Sequence, residues 1–330
     1  MGVYYIDLHL HLDGSLPAET ILKLAERSGV ELPADSPETL RPFLSVEDNC
    51  QSLNEYLEKF DLPIAVLQTE ECLELAAYEL LTDLNRRGVV YTEIRFAPGS
   101  HCARGLSQEQ VIESVLSGMN RAMGELPIRA QLIACCMRGK DNFQTNKQTV
   151  LAAKQFLGAG VCCIDLAGAE AIFPTEDFAA LFAFAREQDV PYIIHAGEAA
   201  GCESVRAALK FGAKRIGHGV AAAADAALMD QLREEQIPLE VCVTSNVQTK
   251  AVPCLEQHPI RRLMEYGVPV TVNTDNMTVS NTDMAKEISL LRTAFSFTEE
   301  EIRRLQANAV NAAFLTKTEK ENLRETLHLR

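Results

Sequence analysis

His9 and His11 stand two apart in the run Tyr4-Tyr5-Ile6-Asp7-Leu8-His9-Leu10-His11-Leu12-Asp13-Gly14-Ser15. Strand side chains alternate faces, so both imidazoles point the same way, roughly 6–7 Å apart along the backbone. Ring nitrogens at that spacing can converge on one ion, and neutral imidazole is the commonest metal ligand. Asp13-Gly14-Ser15 then ends the strand and puts the pair at its C-terminal mouth. Alone, the pair reads first as two ordinary strand histidines.

Four more motifs fall at the ends of apolar, strand-like runs. Ile193-Ile194-His195-Ala196-Gly197-Glu198 carries a histidine with an acid three residues on, and Arg215-Ile216-Gly217-His218-Gly219 sets a histidine between glycines. Val272-Asn273-Thr274-Asp275-Asn276 ends on an acid and an amide, and Asp165-Leu166-Ala167-Gly168 ends on a turn. Each has a plain structural reading. His195 can be a satisfied core histidine, His218 a turn residue, Asp275 a helix N-cap and Glu198 a first-turn acid. Their joint occurrence argues otherwise, since four of the seven histidines fall at strand ends along with one Asp and one Glu. Three histidines and one aspartate form a set suited to zinc, with iron, cobalt and manganese harder to exclude. No lysine lies in 161–168 to serve as a carbamylated bridge, which favours one ion over two.

Elements that can gather such residues are predicted at 3–9, 89–97, 130–137, 161–166, 192–195, 215–216, 239–243 and 269–274. Most are continuous apolar runs, as expected of parallel strands covered on both faces. Helical patterns at 108–124, 147–157, 176–187, 202–211 and 225–235 lie between them. Eight strands alternating with helices predict an α/β fold, a (β/α)8 TIM barrel, whose sites collect at the C-terminal strand ends. An open doubly wound sheet is the runner-up, weakened by the absence of a glycine-rich phosphate loop.

The stretch 17–87 is too long for one crossover helix and carries Pro33, Pro37, Pro42 and Pro63. It reads as a helical insertion after strand 1 that could act as a lid or simply add packing. A capping box at Thr298-Glu299-Glu300-Glu301 opens a terminal helix, and 319–329 reads as a closing helix with Leu323 and Leu327 on one face. No repeat or linker interrupts 1–330, so one domain is expected.

The chain is 47% hydrophobic and carries a net charge of −15. That charge argues against a nucleic-acid surface, which needs clustered Lys and Arg, but not against an uncharged nucleoside. Ten cysteines, including Cys135-Cys136 and Cys162-Cys163, sit largely among apolar neighbours without a Cys-x-x-Cys pair. Reduced, buried thiols in a reducing compartment are expected. With neither a signal peptide nor an apolar run of bilayer length, the sequence predicts a cytoplasmic protein without membrane association. It makes no prediction of oligomeric state.

The ordered set of motifs resembles the adenosine deaminase family of amidohydrolase barrels, essentially from Val3 to the C-terminus. The segments that carry the resemblance are 7–16, Tyr91-Thr92-Glu93-Ile94-Arg95-Phe96-Ala97-Pro98, Asp165–Gly168, His195–Glu198, Arg215–Gly219, Thr244-Ser245-Asn246 and Asn273-Thr274-Asp275. The resemblance implies one zinc ion per subunit on His9, His11, His195 and Asp275, with Glu198, His218 and Asp275 as catalytic groups. It also implies substrate contacts from His11, Asp13 to a ribose 5′-hydroxyl, Gly168 to purine N3 and Asn276 to N7. The implied reaction is hydrolytic deamination of adenosine and 2′-deoxyadenosine to the inosine forms. A carboxylate at Asp13 accepts from a hydroxyl and repels a phosphate, which favours nucleosides over AMP. Adenine or a 5′-modified adenosine as substrate stays open. So do a metal-dependent ester or lactone hydrolase and a non-catalytic nucleoside binder. Two departures stand out. Asn276 replaces a frequent second Asp, and its amide can donate directly to N7. Ala169 replaces a common acid, which leaves the support of the substrate loop in question.

Overall fold

A computed structural model describes residues 4–47 and 50–329. Its eight strands are β1 (Tyr5–His11), β2 (Val89–Phe96), β3 (Arg129–Met137), β4 (Val161–Ala167), β5 (Ile194–Ala196), β6 (Ile216–His218), β7 (Leu239–Val241) and β8 (Val270–Val272). β1–β4 and β5–β8 form two parallel ladders in sequence order. Single bridges join the ladders at both seams. Ile164 pairs with Tyr192 between β4 and β5, and Leu10 pairs with Asp275 beyond the end of β8. At the second seam Asp275 N donates to His9 O and His11 N donates to Asp275 O, each at 2.8 Å. The ring is therefore closed, and helices on its outside bury the apolar strand faces, as the barrel reading requires.

Several boundaries differ from the sequence pattern. The first strand runs on through His11, while Val3, expected in it, lies outside the described residues. The run at 239–243 stops at Val241 because Val243 already begins the helix Val243–Gln248. His218 and Asp275 sit at φ 59° and 62°, a left-handed backbone that breaks the extended chain where each side chain is needed. The pattern at 176–187 divides into a 3-10 turn, Thr175–Phe178, and the helix Ala179–Glu187. The last helix starts earlier than expected, at Lys317–Thr326, because Thr316 and Glu319 form its capping box.

The insertion has two parts. Glu70–Arg86 is the crossover helix that returns the chain to β2, whereas Leu53–Leu57 and Asp61–Val66 stand beside the barrel mouth. At the opposite end Phe314 packs on Ile133, Cys162, Cys163 and Ile193 and plugs the barrel. Leu323 and Leu327 pack with Ile6, Leu8 and Tyr91 on the same side.

The barrel interior departs from the usual layers of branched aliphatics. Arg95 pairs with Asp165 at 2.7 Å and with Glu240 at 2.8 Å. Arg215 pairs with Glu93 and Glu240, each at 2.5 Å. All five side chains are buried, so the charges hold one another in place of water. This ionic column ends beneath the histidines.

Candidate active site

β1 presents His9 and His11 to the mouth, their ring centroids 5.5 Å apart. The His195 ring from β5 lies 4.5 Å from that of His9 and 5.5 Å from that of His11. Asp275 Oδ1 stands 3.4 Å from the Nε2 atoms of both His9 and His11. Ligands about 2.0–2.1 Å from a tetrahedral zinc ion are about 3.3–3.4 Å apart, so these donors have a suitable spacing. His9 Nε2 is buried without a hydrogen-bond partner and faces this point. Donor atoms of His9, His195 and His218 also fall within 4.8 Å of one another, as do those of Glu198, His218 and Asp275. Cys242 lies close to His9 and Asp275, but burial pushes its thiol up, away from the thiolate that binds metal.

Electrostatics keep His11 and Asp275 in ligand form. Burial lowers His11 to about 3, leaving its imidazole neutral. Burial raises the Asp275 carboxyl, but the adjacent His9 outweighs it and holds the group well below the usual range. Behind them, His9 Nδ1 meets Glu240 Oε2 at 2.8 Å and His195 Nδ1 meets Asp165 Oδ2 at 2.8 Å. The hydrogen bond to Glu240 leaves His9 Nε2 with its lone pair toward an ion. Ser245 Oγ donates to Asp275 Oδ2 at 2.6 Å. The sequence reading missed these supporting roles. Its available signal was the set of charged residues Arg95, Asp165 and Glu240 inside strands that are otherwise apolar.

Glu198 follows β5 after a tight turn, and its Oε2 lies 3.5 Å from His218 Nε2. Burial, with the charges of Asp275 and Glu170, pushes the Glu198 carboxyl well above its ordinary value and favours the acid form. Burial holds His218 well below the ordinary imidazole range, hence neutral. The Glu198 loop is fastened by Glu170. Its Oε1 accepts from Gly197 N at 2.7 Å, and its Oε2 accepts from the amides of Glu198, Ala199 and Ala200 at 3.0, 2.6 and 3.0 Å. Ser204 Oγ also donates to it. The support expected from an acid at position 169 thus comes from the next residue.

All of the site residues predicted from sequence except His9 line one cleft of about 180 Å³, and His9 is buried beside it, 3.4 Å from Asp275. Asp13, in the one-turn helix Leu12–Ser15, has Oδ2 3.8 Å from His101 Nε2. Gly168 turns at φ 105° and lines the wall. Asn276 Nδ2 donates to Asp275 Oδ1 at 2.7 Å, which leaves one amide hydrogen for another acceptor. Gly14 makes room for that amide, since a Cβ there would stand 1.8 Å from Asn276 Oδ1. The other wall is apolar, with Leu53, Phe60 and Ile64 from the insertion. An apolar slot with a few convergent polar groups suits a flat heterocycle.

The chain matches the family model described as adenosine deaminase over residues 5–329. It is 46% identical over 322 residues to an adenosine deaminase from Haemophilus ducreyi, covering 96% of this chain and 94% of the relative. Among solved structures it is similar to an adenine deaminase from Arthrobacter aurescens, with TM-score 0.89 and 28% identity over 99% of this chain and 98% of that one. An amidohydrolase from Burkholderia ambifaria with bound zinc shares the fold, with TM-score 0.88 and 22% identity over 99% and 90% of the two chains.

Proposed function

The chain belongs to the adenosine deaminase family, hydrolases of C–N bonds, and on that premise we propose zinc-dependent deamination of adenosine and 2′-deoxyadenosine with release of ammonia. The observation that carries this reading is the meeting, at one cleft, of Asp275 standing 3.4 Å from both His9 and His11 with His195 and the buried Glu198. His9, His11, His195 and Asp275 would hold the ion. When bound, zinc lowers the pKa of water from about 15.7 to about 7 and so makes a nucleophile available at neutral pH.

The remaining steps belong to the side chains. Glu198 gives its proton to purine N1 as C6 becomes tetrahedral, which relieves the charge that addition places on the ring; positioned proton transfer contributes about 10²–10⁴-fold. His218 turns its Nε2 edge to the oxygen that adds to C6 and stabilises charge there. Asp275 orients the same oxygen. The Gly168 amide meets N3, the free Asn276 amide hydrogen meets N7, and His11 borders the ring. Asp13 accepts the ribose 5′-hydroxyl. On collapse the proton of the added oxygen passes through Asp275 to the C6 amino group, which leaves as ammonia, and the 6-oxo purine remains.

Adenosine is preferred to adenine because Asp13 puts an acceptor where a ribose hydroxyl would lie. The more similar relative is also the one that bears the adenosine name. The partner is a small nucleoside rather than a nucleic acid, in keeping with the net charge of −15. Leu53–Leu57 and Asp61–Val66 would cover the bound base as a lid within one unit of 1–330. No described helix is long and apolar enough to cross a membrane, and all ten cysteines are free, which supports a cytoplasmic setting.

The test is loss of ultraviolet absorbance and release of ammonia from adenosine, 2′-deoxyadenosine, adenine and AMP, with zinc content measured in parallel. Turnover of both nucleosides by zinc-loaded protein is expected. Metal-replete protein inert on both would sink the reading. Glu198→Gln should retain zinc and lose most turnover.

A further inference from the structure

His218 rests, on its far side, against Asn246, which in turn meets His258, and the proposed reaction leaves both unused. Its Nδ1 lies 2.9 Å from Asn246 Nδ2, and Asn246 Oδ1 lies 3.2 Å from His258 Nε2. His258 Nδ1 in turn receives the backbone N–H of Ile260 at 3.2 Å. All three side chains are at least nine-tenths buried.

Only one group in this chain has a fixed polarity, and it decides the rest. Ile260 opens the helix Ile260–Tyr266, so its N–H has no acceptor within the helix and can only donate. His258 Nδ1 must therefore be an acceptor. Burial lowers His258 to about 4, so at neutral pH the ring is neutral and its single proton is on Nε2. That proton requires an oxygen opposite, which orients Asn246 with Oδ1 toward His258 and Nδ2 toward His218. The amide hydrogen then meets the lone pair on His218 Nδ1. The proton of a neutral His218 is left on Nε2, the nitrogen that faces Glu198 and the cleft.

We propose that Ile260 N–H, His258 and Asn246 form a relay that fixes His218 as its Nε2–H tautomer, so that it enters the reaction as a hydrogen-bond donor. The proposal rests on the catalytic reading of His218 given above. Asn246 and His258 are positioning residues. The backbone holds the relay in register, since Asn246 N donates to Cys242 O and Val252 N donates to Asn246 O. The same helix, Val243–Gln248, carries Ser245 onto Asp275. One short element thus orients a metal ligand and sets the proton of its neighbour. The opposite tautomer would present a lone pair to an oxygen that is gaining negative charge, which repels it.

The direct test is nitrogen-15 NMR of imidazole-labelled, zinc-loaded protein at neutral pH, with His218 assigned by the signal missing from His218→Gln. A protonated Nε2 and an unprotonated Nδ1 are expected; the reverse pattern overturns the proposal without any further variant. Asn246→Asp replaces the donor facing His218 with an acceptor and should move the proton to Nδ1. It should lower kcat by about 10²–10³-fold, the loss typical of removing one donor to a developing oxyanion. Zinc content and inosine inhibition constant should change little. His258→Leu should lower kcat, and His258→Gln, which keeps an N–H toward Asn246, should recover much of the loss. Wild-type kcat in Asn246→Asp, or equal rates for the two His258 variants, would also overturn it. Wild-type protein inert on adenosine, or an active His218→Gln, instead refutes the reaction assigned above and leaves the tautomer result standing.

Discussion

Asp165 Oδ2 lies 2.8 Å from His195 Nδ1, on the face of the ring turned away from the cleft. The same oxygen is held at 2.7 Å by Arg95 Nη1, and Asp165 and Arg95 are both fully buried. The carboxylate therefore supplies negative charge behind a proposed metal ligand. Asp165→Asn keeps the shape and removes that charge. Zinc affinity should fall about 10–100-fold, the usual effect of losing such a partner, and excess zinc should recover much of the rate. Competition with a chelator measures it; unchanged affinity would show that Arg95, not His195, is the group Asp165 serves.

Asp13 tests where specificity resides. A hydrogen bond to a charged group is worth about 1.5–3 kcal/mol, or roughly 10–100-fold in kcat/KM. Asp13→Ala should lose that factor on adenosine and far less on adenine, which has no ribose. Steady-state rates on the two substrates decide it. Equal losses on both would remove Asp13 from ribose recognition.

Glu170→Gln should separate loop order from metal binding. The amides of residues 197–200 converge on this carboxyl, and a glutamine offers one oxygen in place of two. Displacing Glu198 by about 1 Å should lower kcat about 100-fold. Zinc content should hold, because His195 lies within β5 and keeps Asp165. Loss of zinc in this variant would mean that Glu170 acts through the strand rather than through the acid loop.

The spacing of His9 and His11, and the placing of His195, His218 and Asp275 at strand ends, are local features that can be read from a linear pattern. The architecture was readable for the same reason, because parallel strands buried on both faces write themselves as apolar runs. The partners of those residues were not. Glu240 reaches His9 across 231 positions, and only closure of the ring brings them together. Asn246 lies in a quoted motif but gains a role only when His258 and His218 meet its two ends. The case of Ala169 is subtler. The sequence flagged a missing acid there, whereas the turn after β4 directs the next side chain, Glu170, into the amides.

Glu287 offers a test of stability apart from catalysis. It is fully buried under the end of β7, where its carboxyl accepts from Thr244 Oγ1, from Thr244 N at 3.3 Å and from Thr282 Oγ1 at 2.6 Å. Burial outweighs those hydrogen bonds and, with the charge of Asp7, raises the group from 4.5 to about 7. Below pH 4.5 it is protonated in both folded and unfolded chains, and its contribution is fully present. Between pH 4.5 and about 7 the unfolded chain releases the proton while the folded one retains it, so stability declines as pH rises. Above 7 the loss is complete, on the order of 3 kcal/mol for a shift of this size. Glu287→Gln cannot ionise, and the threonine hydroxyls can turn to accept from its amide. Urea unfolding of zinc-loaded protein at pH 5, 6, 7 and 8 should therefore show a shallower decline in the variant than in the wild type. Parallel slopes would mean that the carboxyl is already ionised in the folded state at pH 5 and is held by the three donors rather than strained by burial.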